Sequence, residues 1–351
     1  MAAKFWTLVT CPEAAELHVS AATPARLRRF ADLLSPALAR ELLRPAAAKL
    51  KREWIDPELA DKGLLYNRFL RHSQLHWVRK IDEAGFDVVY IKGFASAHSL
   101  YDDPDARTIG DLDLLLRAKD LDALIHFLSG HGFRFRGEAR SPWGFISDVS
   151  FLPFVSEDAS ANLDLHIAPD AYPATLSLST EAVFSESRRL EIDGLRLRVP
   201  SPEHHFFLSL TNAAKGAFGP ASVRKSVDAI RMLERTEALD WERLEALVIQ
   251  GRLSRAARSF LQLLERLGGR LGPAPVGLLR PFRGLPACEF AGLVRDYETL
   301  FPTEPGHLRS LRRELLLATD LRVGLYRNWR RLRGLVRPYG GLPPGKGTPA
   351  A

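Results

Sequence analysis

Two aspartates, Asp111 and Asp113, stand two residues apart in the run 108–116, TIGDLDLLL. Gly93, the second residue of the pair Lys92-Gly93, lies eighteen residues ahead of Asp111. In an extended strand, residues two apart share a face, so both carboxylates turn one way while Leu112 and Leu114 pack on the other. Two carboxylates side by side repel, and burial raises their pKa values. A cation between them relieves that cost. A hard divalent ion such as Mg2+ prefers oxygen ligands and keeps positions open for phosphate. The alternative is a solvated polar strand face.

The elements around the pair add to the chemistry. Residues 87–91, DVVYI, read as a short buried strand ending at Lys92-Gly93, and 94–101 as a short helix. A glycine at a strand-to-helix turn lets backbone approach a ligand closely, and a new helix N-terminus attracts phosphate. Arg107 follows in the loop 101–107, four residues before Asp111. Lys92 would act as a mobile point charge and Arg107 as a planar fork for two oxygens. The competing reading makes Lys92 a solvent-exposed cap and pairs Arg107 with Asp102, Asp103 or Asp105.

A third acid lies downstream. In 161–168, ANLDLHIA, Leu163, Leu165 and Ile167 take one face and Asp164 and His166 the other. An acid on the same sheet face as the Asp pair suits two-metal phosphoryl transfer, where metals clamp the attacking and leaving oxygens. His166 could orient Asp164, contact phosphate, or be a satisfied half-buried histidine. Lys215, Arg224 and Lys225 carry weaker signals. Lys215 or Arg224 could reach a triphosphate, while Arg224 and Asp228, four apart on a helix, are expected to form a surface salt bridge.

The stretch 88–133 resembles the uncharacterised bacterial nucleotidyltransferase family of the DNA polymerase β superfamily. It carries VVYIKGFA, then YDDP, RTIGDLDLLL and a closing GHGF. The later NLDLH at 162–166, SPEH at 201–204, Lys215-Gly216 and VRKSVD at 223–228 fit the same pattern, so the likeness spans roughly 85–235. The resemblance implies an α+β fold, a mixed β-sheet with helices on which three carboxylates bind two metal ions, Mg2+ or Mn2+. It also implies transfer of a nucleoside monophosphate from a nucleoside triphosphate to an acceptor hydroxyl, with release of pyrophosphate. By position, Asp111 and Asp113 would be shared metal ligands. Asp164 would be the third metal-binding carboxylate, helping to deprotonate the hydroxyl. One departure stands out: many members of the superfamily show Gly-Ser at the first turn, where this chain has Lys92-Gly93 followed by Phe94-Ala95.

Composition sets the frame. With 351 residues, 46% hydrophobic and 26% charged, the chain reads as an ordinary soluble globular protein of two or three structural units. Cys11 and Cys288 are its only cysteines and have no metal-ligand spacing, which fits a reducing compartment. No apolar run approaches a membrane span and no signal peptide is visible, so the expected location is cytoplasmic. The net charge of +7 is largely local: from Arg309 to Arg337 there are nine arginines against two acids, interleaved with leucines, Tyr326 and Trp329. Such a basic helix can track phosphates, lie on an anionic membrane, or be one solvated face of a packed terminal helix.

Periodicity predicts an N-terminal helical region, 1–84, with helices over 25–50 and 64–84 and a stop at Gly85. A catalytic core over 85–200 alternates strands (88–91, 109–116, 133–136, 145–154, 162–167, 195–199) with a helix over 120–129. Asp148 in the fourth strand is an extra acid, expected in solvent. A C-terminal helical domain, 201–337, carries helices near 222–235, 240–249 and 254–267 and a Gly/Pro-rich connector, 268–286. The tail 338–351, with four prolines and four glycines, is expected to be disordered. The acceptor is open at this point: a small molecule, sugar, peptide or protein, or a nucleic acid such as a transfer RNA end. An inactive binding module of the same fold is the remaining alternative. The basic C-terminal helix discriminates by whether it lines the cleft or packs away.

Overall fold

A computed structural model describes residues 4–136, 151–235 and 239–336. Its main helices are labelled here in chain order. The N-terminal region folds as α1 (Pro24–Leu34), α2 (Pro36–Lys49) and the long α3 (Pro57–Glu83). The single helix expected over 25–50 is thus two. Pro36 disfavours helical backbone at Ser35, the residue before it. Ser35 swings to φ 136°, and its side chain accepts a hydrogen bond from the Leu38 N–H at 3.2 Å to cap α2. At α3 the helix begins earlier than the apolar periodicity, because Asp56 caps the Glu58 N–H and Pro57 occupies the first turn. Gly85, at φ 77°, stops it as expected.

The central sheet has seven strands: β1 (Val89–Tyr90), β2 (Leu112–Leu115), β3 (Arg134–Phe135), β4 (Phe154–Val155), β5 (Asn162–His166), β6 (Arg188–Ile192) and β7 (Leu195–Val199). Their order is β3-β4-β5-β2-β1-β7-β6. The β2–β5 and β1–β7 pairs are parallel and the rest antiparallel, so the sheet is mixed. The expected α+β class, with a mixed sheet flanked by helices, is what the chain adopts. Of the strand expected over 145–154, residues 145–150 and Asp148 lie outside the described residues. The β6–β7 hairpin was not expected, yet its signal is present. Asp193-Gly194 forms the two-residue turn, both residues at positive φ (48° and 79°), as a twist-matched hairpin requires.

Helix α4 (Lys92–Leu100) follows β1 and α5 (Leu121–Gly130) follows β2. Then come α6 (Pro202–Lys215), α7 (Ser222–Arg235), α8 (Trp241–Gln250), α9 (Ser254–Arg266) and α10 (Gly284–Glu298). A helix over His307–Arg313 runs into a π-turn over Glu314–Ala318, and α11 (Leu321–Val336) begins after a break at Thr319. No helix among the described residues is long and apolar enough to cross a membrane.

Strand alternation splits the core in two. Leu112, Leu114, Leu116, Leu163 and Leu165 pack on one side with α5 and the C-terminal half of α3. Val89, Ile91 and Leu115 point the other way, into a cluster shared by the N-terminal and C-terminal helices. There Trp6 donates its indole N–H to the Tyr297 carbonyl at 2.9 Å, tying the chain's beginning to α10. His205 is buried in this packing and His98 half-buried. Burial pushes His205 down to about 4, where its Nε2 meets Ser96 Oγ at 2.9 Å and joins α6 to α4. Burial and the Arg71 charge push His98 down to about 4 as well. In the unfolded chain both take protons near the usual value of about 6.5. The unfolded state therefore binds more protons across that window, so stability is full above about pH 6.5 and is lost as pH falls towards 4. Thermal melts at pH 7.5 and pH 5 should show the drop, and His205→Gln should make it smaller; parallel pH dependences in the two proteins would contradict the assignment.

Candidate active site

The acids are brought together by strand pairing. In the parallel register of β2 and β5, Asp113 stands opposite Asp164 and Leu115 opposite His166. Neighbouring strands lie about 4.8 Å apart, so side chains of one face meet directly. Asp113 and His166 are buried and Asp164 is half-buried. One ligand atom from each of Asp113, Asp164 and His166 lies within 4.8 Å of the others. His166 Nε2 is 2.9 Å from Asp113 Oδ1 and 3.2 Å from Asp164 Oδ2, while its buried Nδ1 has no partner.

Lys92 enters this cluster from β1. The Ile91 N–H donates to the Asp113 carbonyl at 3.1 Å, and Lys92 follows at φ 53° as the first residue of α4. That left-handed conformation disfavours a side-chain-bearing residue by roughly 1–2 kcal/mol. It places the ammonium Nζ 2.5 Å from Asp113 Oδ1, 3.0 Å from His166 Nε2 and 3.9 Å from Asp164 Oδ2. Burial lowers the affinity of Lys92 for its proton, but Asp113 and Asp164 more than offset this and hold it above the usual lysine value. Burial also opposes ionisation of Asp113, yet Lys92 and the His166 hydrogen bond keep its carboxyl well below the usual range. Burial and Lys92 push the His166 ring down, and its contacts with the two aspartates push it up and prevail. His166 Nε2 cannot accept from Lys92 and donate to Asp113 at once, so this geometry leaves one of the contacts frustrated.

Asp111 precedes β2 on a bend rather than standing in the strand, so it does not share the cluster of close ligand atoms. It still belongs to the same electrostatic site. The Asp113 charge, then burial, raises its pKa, with Lys92 and Lys225 acting in the opposite direction.

The structure places Arg107 differently from the expected phosphate fork. Its Nε and Nη2 donate to Asp228 Oδ1 and Oδ2 at 2.9 and 2.7 Å, and Nη1 donates to the Thr108 carbonyl at 3.0 Å. Tyr101 Oη donates to the same carboxylate at 2.8 Å. All three side chains are buried. The expected surface bridge between Arg224 and Asp228 does not form either, because Asp228 is inside and already engaged. Arg224 Nη2 reaches the Leu34 carbonyl instead, at 2.9 Å. The loop acids are spoken for elsewhere: Asp102 pairs with Arg235, and Asp105 with Arg68 and Arg71. From α3, Asn67 donates to the Asp105 carbonyl and Gln74 to the Ile109 carbonyl, fixing the segment that leads into Asp111. Lys215 bridges to the buried Asp170. Gly93 is not sterically forced, since a side chain there would meet Arg107 Nη1 at an ordinary 3.4 Å; the unusual backbone belongs to Lys92.

Lys225 is the residue that sequence reasoning undervalued. It sits on α7, one turn before Asp228, and no described residue forms an ion pair with it. Burial and Arg107 lower its pKa, while Asp228 and Asp113 pull it back up. Its ammonium is half-buried and feels the charges of Asp111 and Asp113.

Residues 66–269 match the model of a family described as uncharacterised nucleotidyltransferase. The chain belongs to that family. The matched region runs from within α3 to just beyond α9, so it holds the whole sheet and Asp111, Asp113, Asp164 and Asp228. Among solved structures, an antigenic nucleotidyltransferase-like protein from Paracoccidioides brasiliensis is similar, at 14% identity and a TM-score of 0.37. That likeness covers 60% of this chain and 96% of the other. No curated protein matches.

The Arg107–Asp228 pair clamps the loop between α4 and β2 to α7. Asp228→Asn should lower the free energy of unfolding by about 3–5 kcal/mol, because it leaves a buried guanidinium unpaired. A urea midpoint unchanged from the wild type would show that the clamp is not structural.

Proposed function

We propose that the protein is a metal-dependent nucleotidyltransferase that moves a nucleoside monophosphate from a nucleoside triphosphate to an acceptor hydroxyl and releases pyrophosphate. The observation that carries this reading is the convergence of Asp113 and Asp164 across two parallel strands, with His166 and Lys92 against them. In this reading residues 85–200 hold the acids and Lys92, and the helical regions 1–84 and 201–337 buttress them, the latter also supplying Lys225.

The donor set fits a divalent ion. Two carboxylates and an imidazole converge, Asp111 stands nearby, and the Lys92 ammonium already compensates their charge, as a bound cation would. Carboxylates suit Mg2+ or Mn2+, and the imidazole is more at home on Mn2+ or a softer ion. Asp111, Asp113 and Asp164 are the residues we assign as metal ligands, with His166 beside them. A bound divalent ion would supply neutralisation of phosphate charge and polarisation of the phosphorus centre. The chain's own groups do the rest. Released from Asp113, Lys92 becomes free to meet a phosphate oxygen as a point charge. Lys225, on α7, offers a second ammonium. Asp164, the more exposed of the paired acids, accepts the proton of the attacking hydroxyl. Arg107 acts at a remove, holding the loop through Asp228, and Lys215 acts through Asp170; neither side chain, nor Arg224, is free to clamp phosphate as it stands.

Each common nucleoside triphosphate should be titrated calorimetrically with Mg2+ or Mn2+ present. At least one should bind the wild type, and Asp113→Asn should weaken it by more than about tenfold. Asp164→Asn should bind within a few-fold of wild type yet release pyrophosphate at least about 100-fold more slowly. Wild-type turnover in Asp164→Asn would leave that residue a bystander, and metal-dependent binding by Asp113→Asn equal to wild type would end the reading.

A further inference from the structure

Helix α11 is built the wrong way round for a helix that packs on a soluble protein. Soluble helices turn apolar residues inward and charges outward. Here Val323, Arg327 and Arg331 form the inward face, and both arginines grip the buried Glu314. The outward face carries Leu321, Leu325, Trp329 and Leu332, spaced by four, four and three residues, each more than half exposed. Arg322 and Arg333 flank that stripe near its two ends, both exposed and without a carboxylate partner among the described residues. Arg333 lies 5.6 Å over the Trp329 ring. Across Leu321–Val336 the sequence has five arginines and no acid.

We infer that α11 docks the protein on an anionic lipid surface, with Leu321, Leu325, Trp329 and Leu332 entering the headgroup boundary and Arg322 and Arg333 meeting lipid phosphates. The chemistry of the face selects this occupant. Three aliphatic leucines gain by leaving water for an acyl boundary, and tryptophan suits that interface because its ring is apolar and its N–H polar. Arginine supplies attraction to anionic headgroups. A single-stranded nucleic acid would reward aromatic platforms, yet this stripe offers one Trp among leucines, which have no face for bases to stack on. A second copy of the same helix would bring the exposed Arg322 and Arg333 against their counterparts, with no acid on either helix to offset them. The docked face is also linked to the site region. Tyr326, on the flank of the stripe, packs its ring 4.8 Å from Tyr172, six residues past His166. Helix α11 lies outside the family-matched residues 66–269.

The full chain should be co-sedimented with vesicles of phosphatidylcholine alone and of phosphatidylcholine mixed with phosphatidylglycerol. The expected result is binding to the mixed vesicles, weakened by salt, and little binding to the neutral ones. Leu325→Asp and Trp329→Ala together should reduce the partition by more than about tenfold without moving the melting temperature, because both side chains are exposed. Loss of folding in the double variant would shift the comparison to Arg322→Glu, expected to lose binding to the mixed vesicles only. Four results would overturn the inference: no vesicle binding by the wild type; vesicle binding unchanged in the variants; binding to single-stranded RNA in place of vesicles; or a dimer that the variants dissolve, with no vesicle binding. None of these readouts needs a nucleotide, so they stand or fall apart from the proposed transfer reaction.

Discussion

Asp113 and Asp164 are forced side by side by the parallel pairing of β2 and β5, and a cation must lie against them. Everything near the site follows from that constraint. Two carboxylates on adjacent strands repel, and burial of Asp113 sharpens the repulsion because solvent no longer screens it. Lys92 meets the demand with an ammonium against Asp113 and held close to Asp164. To get there its backbone adopts a left-handed conformation at the mouth of α4. Strain of that kind persists only where the surroundings over-determine it. Here the Ile91 N–H is bonded to the Asp113 carbonyl just before the lysine, and α4 begins at it.

A site that depends on repelling groups needs a stiff frame, and the frame is itself electrostatic. The loop between α4 and β2 is held from α3 by Asn67, Gln74, Arg68 and Arg71, and from α7 by the buried Arg107–Asp228–Tyr101 cluster. The N-terminal and C-terminal helical regions thus reach the same short loop from two sides. They also share one hydrophobic cluster, so the chain's ends brace the segment that presents Asp111.

Much of this was legible in the sequence, and the misses have physical reasons. Alternation in 108–116 and 161–168 gave the facing of Asp113, Asp164 and His166 and the leucines behind them, because period-two patterning reports a half-buried strand directly. Asp111 was drawn into the strand because alternation continues one residue past the last ladder hydrogen bond. Arg107 was read towards phosphate for its type and its place before the acids. Its true partner, Asp228, is 121 residues away, and long-range pairing leaves no local mark. The same blindness misplaced Asp228 itself: four-residue spacing to Arg224 suggested a surface pair, while the burial that decides the matter belongs to the tertiary fold. Lys225 was passed over because nothing in a helix sequence says which lysine lacks a partner. The β6–β7 hairpin, by contrast, had a readable turn in Asp193-Gly194.

The most direct measurement is an electron paramagnetic resonance titration of Mn2+ into the protein with a non-hydrolysable nucleoside triphosphate analogue, comparing wild type with Asp113→Asn. The account predicts that wild type removes free Mn2+ signal to a stoichiometric end point and that the variant leaves the signal of the Mn2+–nucleotide mixture unchanged. Equal uptake of Mn2+ by both proteins would show that the paired carboxylates are not a metal site, and the central claim would fall.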